Sequence, residues 1–256
     1  MEDDFNPNEF SDKEIPKSLK RPKFKIYFSK IAQKVASRLF DFFMLFLAVF
    51  SGFLADNWRE QISEHKRELV FINSFIEDLK SDNLESNKIL EKLIARHDGI
   101  DSILNLMLNT DVSTNSNAMY ESWTRNLGLD AFVSNDRTIQ QLKSSGELRL
   151  IRNKAISDQL MKYDQLVKQY YTQSELMYYA LTNVNSYTRL FNFISLNKHP
   201  DIPVPLTEEG KQILNEAYAH LFLWNRGMSG LISWLRVVNT EGKNLVEFIE
   251  KEYDLE

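Results

Sequence analysis

Residues 42–55, which read Phe-Phe-Met-Leu-Phe-Leu-Ala-Val-Phe-Ser-Gly-Phe-Leu-Ala, decide the fold of the N-terminal part of this chain. They carry no charged side chain and a single hydroxyl group. With Leu39 and Phe40 the apolar run covers residues 39–55, and Asp41 is its one charged residue. About 17 residues is the lower limit for a helix that crosses the hydrocarbon core of a bilayer. The run therefore predicts a transmembrane helix at 39–55.

The residues on either side of this run favour a membrane helix. Lys34 and Arg38 precede it and can extend their charged ends to lipid headgroups. Trp58 follows it, where an interfacial aromatic residue is expected, and Arg59 is next to it. A signal peptide fits less well, because its basic region would be about 40 residues long and no small-x-small cleavage site follows. A buried core helix is the remaining alternative, since phenylalanine is common in protein cores.

Cationic residues are more frequent before the apolar run than after it. Five precede it closely and three follow: Lys23, Lys25, Lys30, Lys34 and Arg38, then Arg59, Lys66 and Arg67. The positive-inside rule then places the N-terminus in the cytoplasm. We expect a single-pass protein of the inner membrane, with its C-terminal body in the periplasm and the lipid bilayer as its first partner.

The charge and composition pattern divides the chain into four segments. These are a disordered cytoplasmic tail at 1–22, a basic amphipathic juxtamembrane segment at 23–41, the transmembrane helix at 39–55 and an extracytoplasmic helical part at 56–256. The tail is polar, acidic and proline-containing, which is typical of disorder. The segment 23–41 either lies on anionic lipid as a separate helix or is the cytoplasmic end of the membrane helix.

Composition predicts an all-α protein. The chain has 256 residues, of which 43% are hydrophobic and 26% are charged, as in ordinary globular proteins. No proline occurs between residues 23 and 199, and the whole chain has 8 glycines. Few β folds manage without these residues at their turns. The absence of cysteine excludes disulfides, thiolate zinc sites and a cysteine nucleophile.

Apolar residues at alternating spacings of three and four predict long helices. One such seam runs from Ile62 to Ile100, a second from Ile156 to Phe191, and a third from Met228 to Ile249. The first seam follows the apolar run without a helix breaker, so the membrane helix should continue into the body. The predicted fold is all-α: an N-terminal transmembrane helix that continues into an elongated antiparallel helical bundle.

The connections between the long helices are predicted from turn and capping residues. Residues 110–117 are expected to form a loop, followed by a short helix at 118–126. Ser134 or Asn135 is expected to cap the next helix, and Thr207 a later one. The second long helix should end just before His199. Gly227 and Gly230 indicate a turn or a tight helix crossing.

Polar residues interrupt the first seam at positions 65, 83, 86 and 97. The favoured interpretation is that the seam is wide or partly solvated at these positions. The alternative is a polar layer that sets helix register, or a ligand pocket between helices.

Two blocks of sequence resemble a family of uncharacterised bacterial membrane proteins with one N-terminal span. The blocks are Gly52-Phe-Leu-Ala-Asp-Asn-Trp-Arg-Glu60 with Glu64-His-Lys-Arg67 and Ser74-Phe-Ile-Glu-Asp-Leu-Lys80, and then Thr138-Ile-Gln-Gln-Leu-Lys-Ser-Ser-Gly-Glu-Leu-Arg-Leu-Ile151. The family carries no established activity, so the resemblance implies the architecture alone. It singles out motif residues of unknown role: Glu64, His65, Asp78, Ser144, Ser145 and Gly146.

We find no catalytic, cofactor-binding or metal-binding motif in the sequence. Glu216 and His220 are four residues apart, but one such pair makes no metal site. The carboxylates of Asp78, Asp82 and Glu85 are interpreted as a solvated helix face. Residues 42–256 hold 22 basic and 29 acidic residues, which argues against nucleic-acid binding.

The expected function is therefore a non-enzymatic, membrane-anchored scaffold that binds a protein partner or forms a homo-oligomer, with no cofactor. The alternative is a periplasmic sensor whose helices bind a ligand and signal through a separate partner.

Overall fold

The computed structural model describes the backbone of residues 24–255 and the side chains of residues 34–255. The predicted tail at 1–22 lies outside the described residues. Within the described part the chain is helical with no strand, so the all-α prediction is confirmed. The α-helices are α1 (Phe24–Asn109), α2 (Asn117–Asn126), α3 (Arg137–Ser145), α4 (Lys154–Asn185), α5 (Phe193–Lys198) and α6 (Glu208–Glu252). Two 3₁₀ helices cover Glu147–Leu150 and Ser186–Leu190.

The chain divides into two compact units, Met1–Gln61 and Ile62–Glu256. The described part of the first unit belongs to α1. In the described residues, α1 holds the single stretch that is long and apolar enough to cross a membrane, and none of that stretch is buried. Phe43 is 54% exposed and Phe53 is 69% exposed. As predicted, α1 continues without interruption from this apolar stretch into the second unit, which we call the body.

The body is organised around one hydrophobic core to which α1, α4 and α6 contribute side chains. Leu93 of α1, Leu160 of α4 and Leu235 of α6 have no exposed surface. Burial of each such side chain contributes about 1.5–3 kcal/mol to folding. The three periodic seams of the sequence thus end up on one core.

Pairs of contacting residues define the direction of each segment of the body. Lys80 contacts Glu250, whereas His97, further along α1, contacts Ser229, so α1 and α6 run in opposite directions. Asn153, just before the start of α4, donates to Glu252, and the carbonyl of Met177, near the end of α4, accepts from Trp224. Helix α4 therefore also runs in the direction opposite to α6.

The chain between α1 and α4 returns along α1. Asp130 bonds Arg96, Asn135 bonds Asp82, and Glu147 pairs with Arg67. Residues 117–150 therefore run along α1 in the opposite direction. Helix α4 starts beside the first turns of α1 that belong to the body, and it runs parallel to α1. Four consecutive segments alternate in direction, but the second consists of two short helices and an extended stretch.

The second predicted seam is correct up to Val184 and again at Phe191, which is buried, but wrong at Thr188. Thr188 is exposed, while Tyr187 and Leu190 are buried. The reason is that α4 ends at Asn185 and a 3₁₀ helix follows. A 3₁₀ helix has three residues per turn, so its buried positions repeat every three residues. The prediction that the second long helix ends just before His199 is therefore wrong: α4 ends at Asn185, and the separate short helix α5 is the one that ends at Lys198.

Two further predictions concern helix ends. Thr207 caps α6, since its hydroxyl accepts the N–H of Gly210 at 2.8 Å, as expected. Of the two alternatives predicted at Gly227 and Gly230, the turn is wrong, because α6 runs unbroken through both. The tight crossing is confirmed at Gly227, where a β-carbon would lie 2.6 Å from the sulfur of Met177.

Candidate functional site

The residues that the sequence motifs single out fall at several places in the body. Glu64 is half-buried, and His65 is exposed with its Nδ1 3.1 Å from a carboxylate oxygen of Glu68. Ser144 and Ser145 are exposed at the end of α3, where both hydroxyls donate to the carbonyl of Gln141.

Gly146 ends α3 in the left-handed conformation, at φ 69°, and donates its N–H to the carbonyl of Leu142. Only glycine adopts this conformation without strain. The Ser144–Gly146 part of the motif therefore terminates a helix, and its two hydroxyls are hydrogen-bonded to the backbone.

Asp78 has a different environment and lies in a buried polar cluster. Asp78 is 4% exposed and Asp82, one turn later on α1, is 3% exposed. The interpretation of these two carboxylates as a solvated face is therefore wrong. Burial of an ionised carboxylate is unfavourable unless hydrogen bonds replace its water, and both residues have such bonds.

The two carboxylates bind the chain that leads into α3. Asp82 accepts the N–H of Asn135 at 2.6 Å and the hydroxyl of Ser134. Asp78 accepts the N–H and the hydroxyl of Thr138, the second residue of α3. Unpaired N–H groups at a helix start carry partial positive charge and favour nearby anions.

This arrangement corrects the predicted cap of α3. Neither Ser134 nor Asn135 caps the helix; the flanking residue is Asp136, which makes no capping side-chain bond. The cap comes from α1 instead, more than fifty residues earlier in the chain.

Two tyrosines of α4 complete the cluster. Tyr163 donates its hydroxyl to Asp82 at 3.0 Å, and Tyr171 accepts the N–H of Ser134 at 2.7 Å. A cavity of about 100 Å³ lies among these side chains. Burial raises the pKa of Asp82 and outweighs the bonds from Asn135, Ser134 and Tyr163, which lower it. Burial also raises the pKa of Tyr163, and the negative charge of Asp82 adds to this effect.

Asp164 lies next to Tyr163 and pairs with two lysines. Lys143 approaches its carboxylate at 2.5 Å and Lys168 at 2.9 Å. Burial opposes ionisation of Asp164, yet bonds from the two lysines hold its pKa below the usual value. This ion pair joins α3 to α4.

Glu68 is another buried acid at which distant parts of the chain meet. It is 1% exposed and accepts the N–H of Arg152 at 2.7 Å and the hydroxyl of Tyr253 at 2.7 Å. Burial opposes ionisation, but these bonds and the one from His65 keep its pKa below the usual value. One carboxylate thus holds the chain just before α4 and the C-terminal end of α6 against α1.

The predicted polar seam positions 83 and 86 meet α6. Asn239 is buried and donates to the hydroxyl of Ser86 at 2.7 Å and to the carbonyl of Asn83 at 3.2 Å. This polar layer links the two helices at one position along their length, which supports the register interpretation. Position 97 also contacts α6, because His97 Nε2 lies 2.8 Å from the hydroxyl of Ser229.

Sequence reasoning missed Glu68 and Asp82 as buried residues, although a signal was present. Glu68, Phe75, Asp82 and Ile89 are spaced by seven and are all buried. The predicted seam used the neighbouring positions 69, 76, 83 and 90, of which 69 and 83 are only half-buried. On this side of α1 the buried positions are therefore one residue earlier than the predicted seam. The pattern was not recognised because two of the buried residues, Glu68 and Asp82, are charged.

The four anchor residues of the sequence are all exposed. Lys34 and Arg38 precede the apolar stretch, and Trp58 after it is 74% exposed. Arg59 pairs with Asp56 at 3.4 Å.

No family model, curated protein or solved structure matches this chain. The resemblance to single-span membrane proteins remains a prediction from its motifs. What the buried clusters can do chemically follows from their bonds alone. Each of the carboxylates Glu68, Asp78, Asp82 and Asp164 accepts hydrogen bonds from groups elsewhere in the body, as expected of residues that hold segments together.

Proposed function

We propose that this chain is a single-pass protein of the bacterial inner membrane, with a cytoplasmic N-terminus and a periplasmic body. The observation that carries the proposal is the apolar stretch of α1, none of which is buried. Exposed apolar surface on this scale is unfavourable in water and favourable in hydrocarbon. The excess of cations before the stretch supports the orientation.

We further propose that the body is an antiparallel helical bundle that works as a scaffold and not as an enzyme. The alternating directions of the four segments support the bundle. The buried carboxylates support a structural role, because their oxygens are engaged by groups of the body itself.

The surface that supports an interaction role is a stripe along α6, consisting of Leu223, Gly230, Trp234 and Val237. These residues follow one face of the helix at spacings of seven, four and three. Leu223 is 66% exposed and Val237 is 44% exposed. A β-carbon at Gly230 would find nothing within 4 Å.

The occupant we propose for the α6 stripe is a second copy of the chain. Trp234 is four residues from the open space above Gly230. In a two-fold antiparallel pair, the indole ring of each copy would fill the space above the glycine of the other. Aromatic residues are enriched at the centres of such interfaces.

The membrane topology is tested by labelling single cysteines, because the natural chain has none. Ala118 is exposed and makes no side-chain bond, so Ala118→Cys presents an accessible thiol. Intact cells are treated with a maleimide that passes the outer but not the inner membrane. Labelling of Ala118→Cys in intact cells is expected. Labelling only after lysis would place the body in the cytoplasm and overturn the orientation.

A matched control comes from the same turn of chain. Ser116 has no exposed surface and donates its hydroxyl to the carbonyl of Val204, although the sequence places it in a loop. The thiol of Ser116→Cys should stay unlabelled in intact and lysed cells and react only after denaturation.

Self-association is tested by light scattering of the detergent-solubilised chain. The wild type should have twice the protein mass of Trp234→Arg. Leu84 of α1 is 66% exposed and outside the stripe, so Leu84→Arg should leave the mass unchanged. If the wild type is a monomer, the proposal that a second copy binds the α6 stripe is wrong, and a different protein would be the partner of this stripe.

The sensor alternative is favoured by one observation. A cavity of about 420 Å³ opens between α1 and α6 and is lined by polar and aromatic groups that include His97, Tyr218 and Asn225. A specific ligand of this cavity would support a receptor, and signalling would require a separate partner.

A further inference from the structure

His97, Asp98 and Asp101 form a compact donor cluster, and His97 and Asp101 line that cavity. His97 Nδ1 lies 3.4 Å from Oδ1 of Asp98 and 3.6 Å from Oδ2 of Asp101. All three residues offer a donor atom within 4.8 Å of the others. In tetrahedral zinc sites with bonds of about 2.0–2.1 Å, neighbouring donor atoms are roughly 3.3 Å apart. The two distances from His97 Nδ1 are close to this spacing.

Contacts from α6 orient two of the three donors. Ser229 donates its hydroxyl to the carbonyl of Asn225 at 3.3 Å, so it can accept a proton from His97 Nε2 at 2.8 Å. A cation that takes the place of the Nδ1 proton would leave the imidazole proton on Nε2, where the hydroxyl of Ser229 can accept it. Outer contacts of this kind set the tautomer of histidine ligands.

Asp101 is held in the same way. Asn225 donates its amide to Oδ1 of Asp101 at 2.7 Å, which leaves Oδ2 facing His97. In the described part of the chain, neither Asp98 nor Asp101 pairs with a lysine or arginine. Arg226 lies on the same cavity, but its guanidinium is stacked over the ring of Phe222 at 5.8 Å. The two carboxylates and the imidazole therefore lie together with no lysine or arginine paired to them among the described residues.

An independent observation comes from Asn225 itself. The residue is 4% exposed, its amide group reaches the cluster, and its Oδ1 has no hydrogen-bond partner among the described residues. An unpaired buried carbonyl oxygen costs about 1–3 kcal/mol. The side chain that orients Asp101 is therefore itself incompletely paired.

We propose that His97 Nδ1, Asp98 and Asp101 bind one divalent transition-metal cation of the zinc class, with water in the fourth position. One imidazole nitrogen and two carboxylate oxygens suit zinc better than calcium or magnesium, which prefer sites made of oxygen alone. Because Ser229 and Asn225 belong to α6, the cation links α1 to α6 through its outer contacts. The proposal is independent of the membrane topology and of self-association.

The test uses the full-length chain in detergent, stripped of metal and titrated with zinc by calorimetry at neutral pH. One equivalent should bind, and His97→Gln and Asp101→Asn should each weaken binding at least tenfold. His199 is exposed and outside the cluster, so His199→Gln is the matched control and should bind as the wild type does. Circular dichroism checks that every variant is folded.

Two additional readouts identify the ligands. Cobalt in place of zinc should give the visible bands of a tetrahedral site, and these should disappear in His97→Gln. Zinc at a hundredfold excess over the wild-type dissociation constant should raise the unfolding free energy by about 2.7 kcal/mol in the wild type and in His199→Gln, and by about 1.4 kcal/mol or less in His97→Gln and Asp101→Asn.

Three outcomes would overturn the proposal. They are zinc binding that His97→Gln leaves unchanged, magnesium binding as tight as zinc binding, and no binding at 100-fold excess of zinc over protein. In the last case His97 would only be a hydrogen-bonding partner of Asp98 and Ser229.

Discussion

Asp82 Oδ1 accepts the backbone N–H of Asn135 at 2.6 Å, across 53 residues of chain. This single bond joins the first long helix to the stretch that enters α3. Together with the bond from Asp78 to Thr138, it places the start of α3 opposite a specific turn of α1. The path of the chain between α1 and α4 depends on these two carboxylates, because that stretch has little helix of its own.

Replacement of Asp78 by alanine should lower the unfolding free energy of the body by about 1–3 kcal/mol. The loss has two parts: the capping interaction at α3 and the unpaired N–H and hydroxyl of Thr138 that remain. Urea unfolding followed by circular dichroism measures the change. Glu77, the exposed neighbour, provides the control, and Glu77→Ala should change stability by less than about 0.5 kcal/mol. Equal effects would contradict the capping role.

Asp82 should give the folded protein a distinctive pH dependence. Because burial raises its pKa, the folded state holds a proton at Asp82 more tightly than the unfolded chain does. Its contribution to stability is therefore fully present below the unfolded-state pKa, which is near 3.8, and is lost as the pH rises through the higher folded-state pKa. Asp82→Asn cannot titrate, so the wild type should gain stability relative to this variant as the pH falls from 7 towards 4. A difference that does not vary with pH would contradict the raised pKa.

Glu68 should behave in the opposite way. Its pKa is lowered in the folded state, so its contribution is present above the unfolded-state value of 4.5 and is lost as the pH falls below it. Glu68→Gln should cost about 1–3 kcal/mol at pH 7, and this cost should shrink in acid. The half-buried Glu64 on the preceding turn offers a matched Glu64→Gln control, for which we expect little change at either pH.

Two glycines of α6 should respond to alanine with opposite signs. At Gly242 a β-carbon would lie 2.7 Å from Oδ1 of Asn83 and 3.3 Å from the ring of Tyr163, so Gly242→Ala should destabilise the body by about 1–3 kcal/mol. At Gly230 the space is open within one copy, so Gly230→Ala in the monomeric Trp234→Arg background should stabilise the helix by up to about 1 kcal/mol. Thermal unfolding of both variants checks the pair. Stabilisation of both would mean that α1 and α6 do not approach closely at Gly242.

Gly146 should not tolerate a side chain, even though a β-carbon there has open space around it. Its φ of 69° is in the left-handed region, where an L-residue costs about 1–2 kcal/mol. Gly146→Ala should therefore lower the unfolding free energy by about that amount. Ser145→Ala, one residue earlier on the surface, should be within about 0.5 kcal/mol of the wild type. A neutral Gly146→Ala would indicate that α3 ends differently.

Local sequence predicted much of the secondary structure for a simple reason. Helix periodicity, caps and breakers act within a few residues, so the long helices, the loop after residue 109 and the cap at Thr207 could be anticipated. The end of α4 could not, because the change from α-helix to 3₁₀ helix at Ser186 is set by how Tyr187 and Leu190 fit into the core.

Residue types and their spacing are enough to establish that the chain is helical, that its longest apolar run has no charges after Asp41, and which faces of the long helices are apolar. Tertiary contacts make Asp78, Asp82 and Glu68 interior residues, because a carboxylate is stable there only when distant N–H and O–H groups converge on it. The tertiary structure likewise brings His97 to Ser229 and Asn225, which are more than 120 residues away. Hydrophobic periodicity indicates which face of a single helix is buried. The pairing of residues from different helices depends on which helices pack together and on their relative positions along the helix axes.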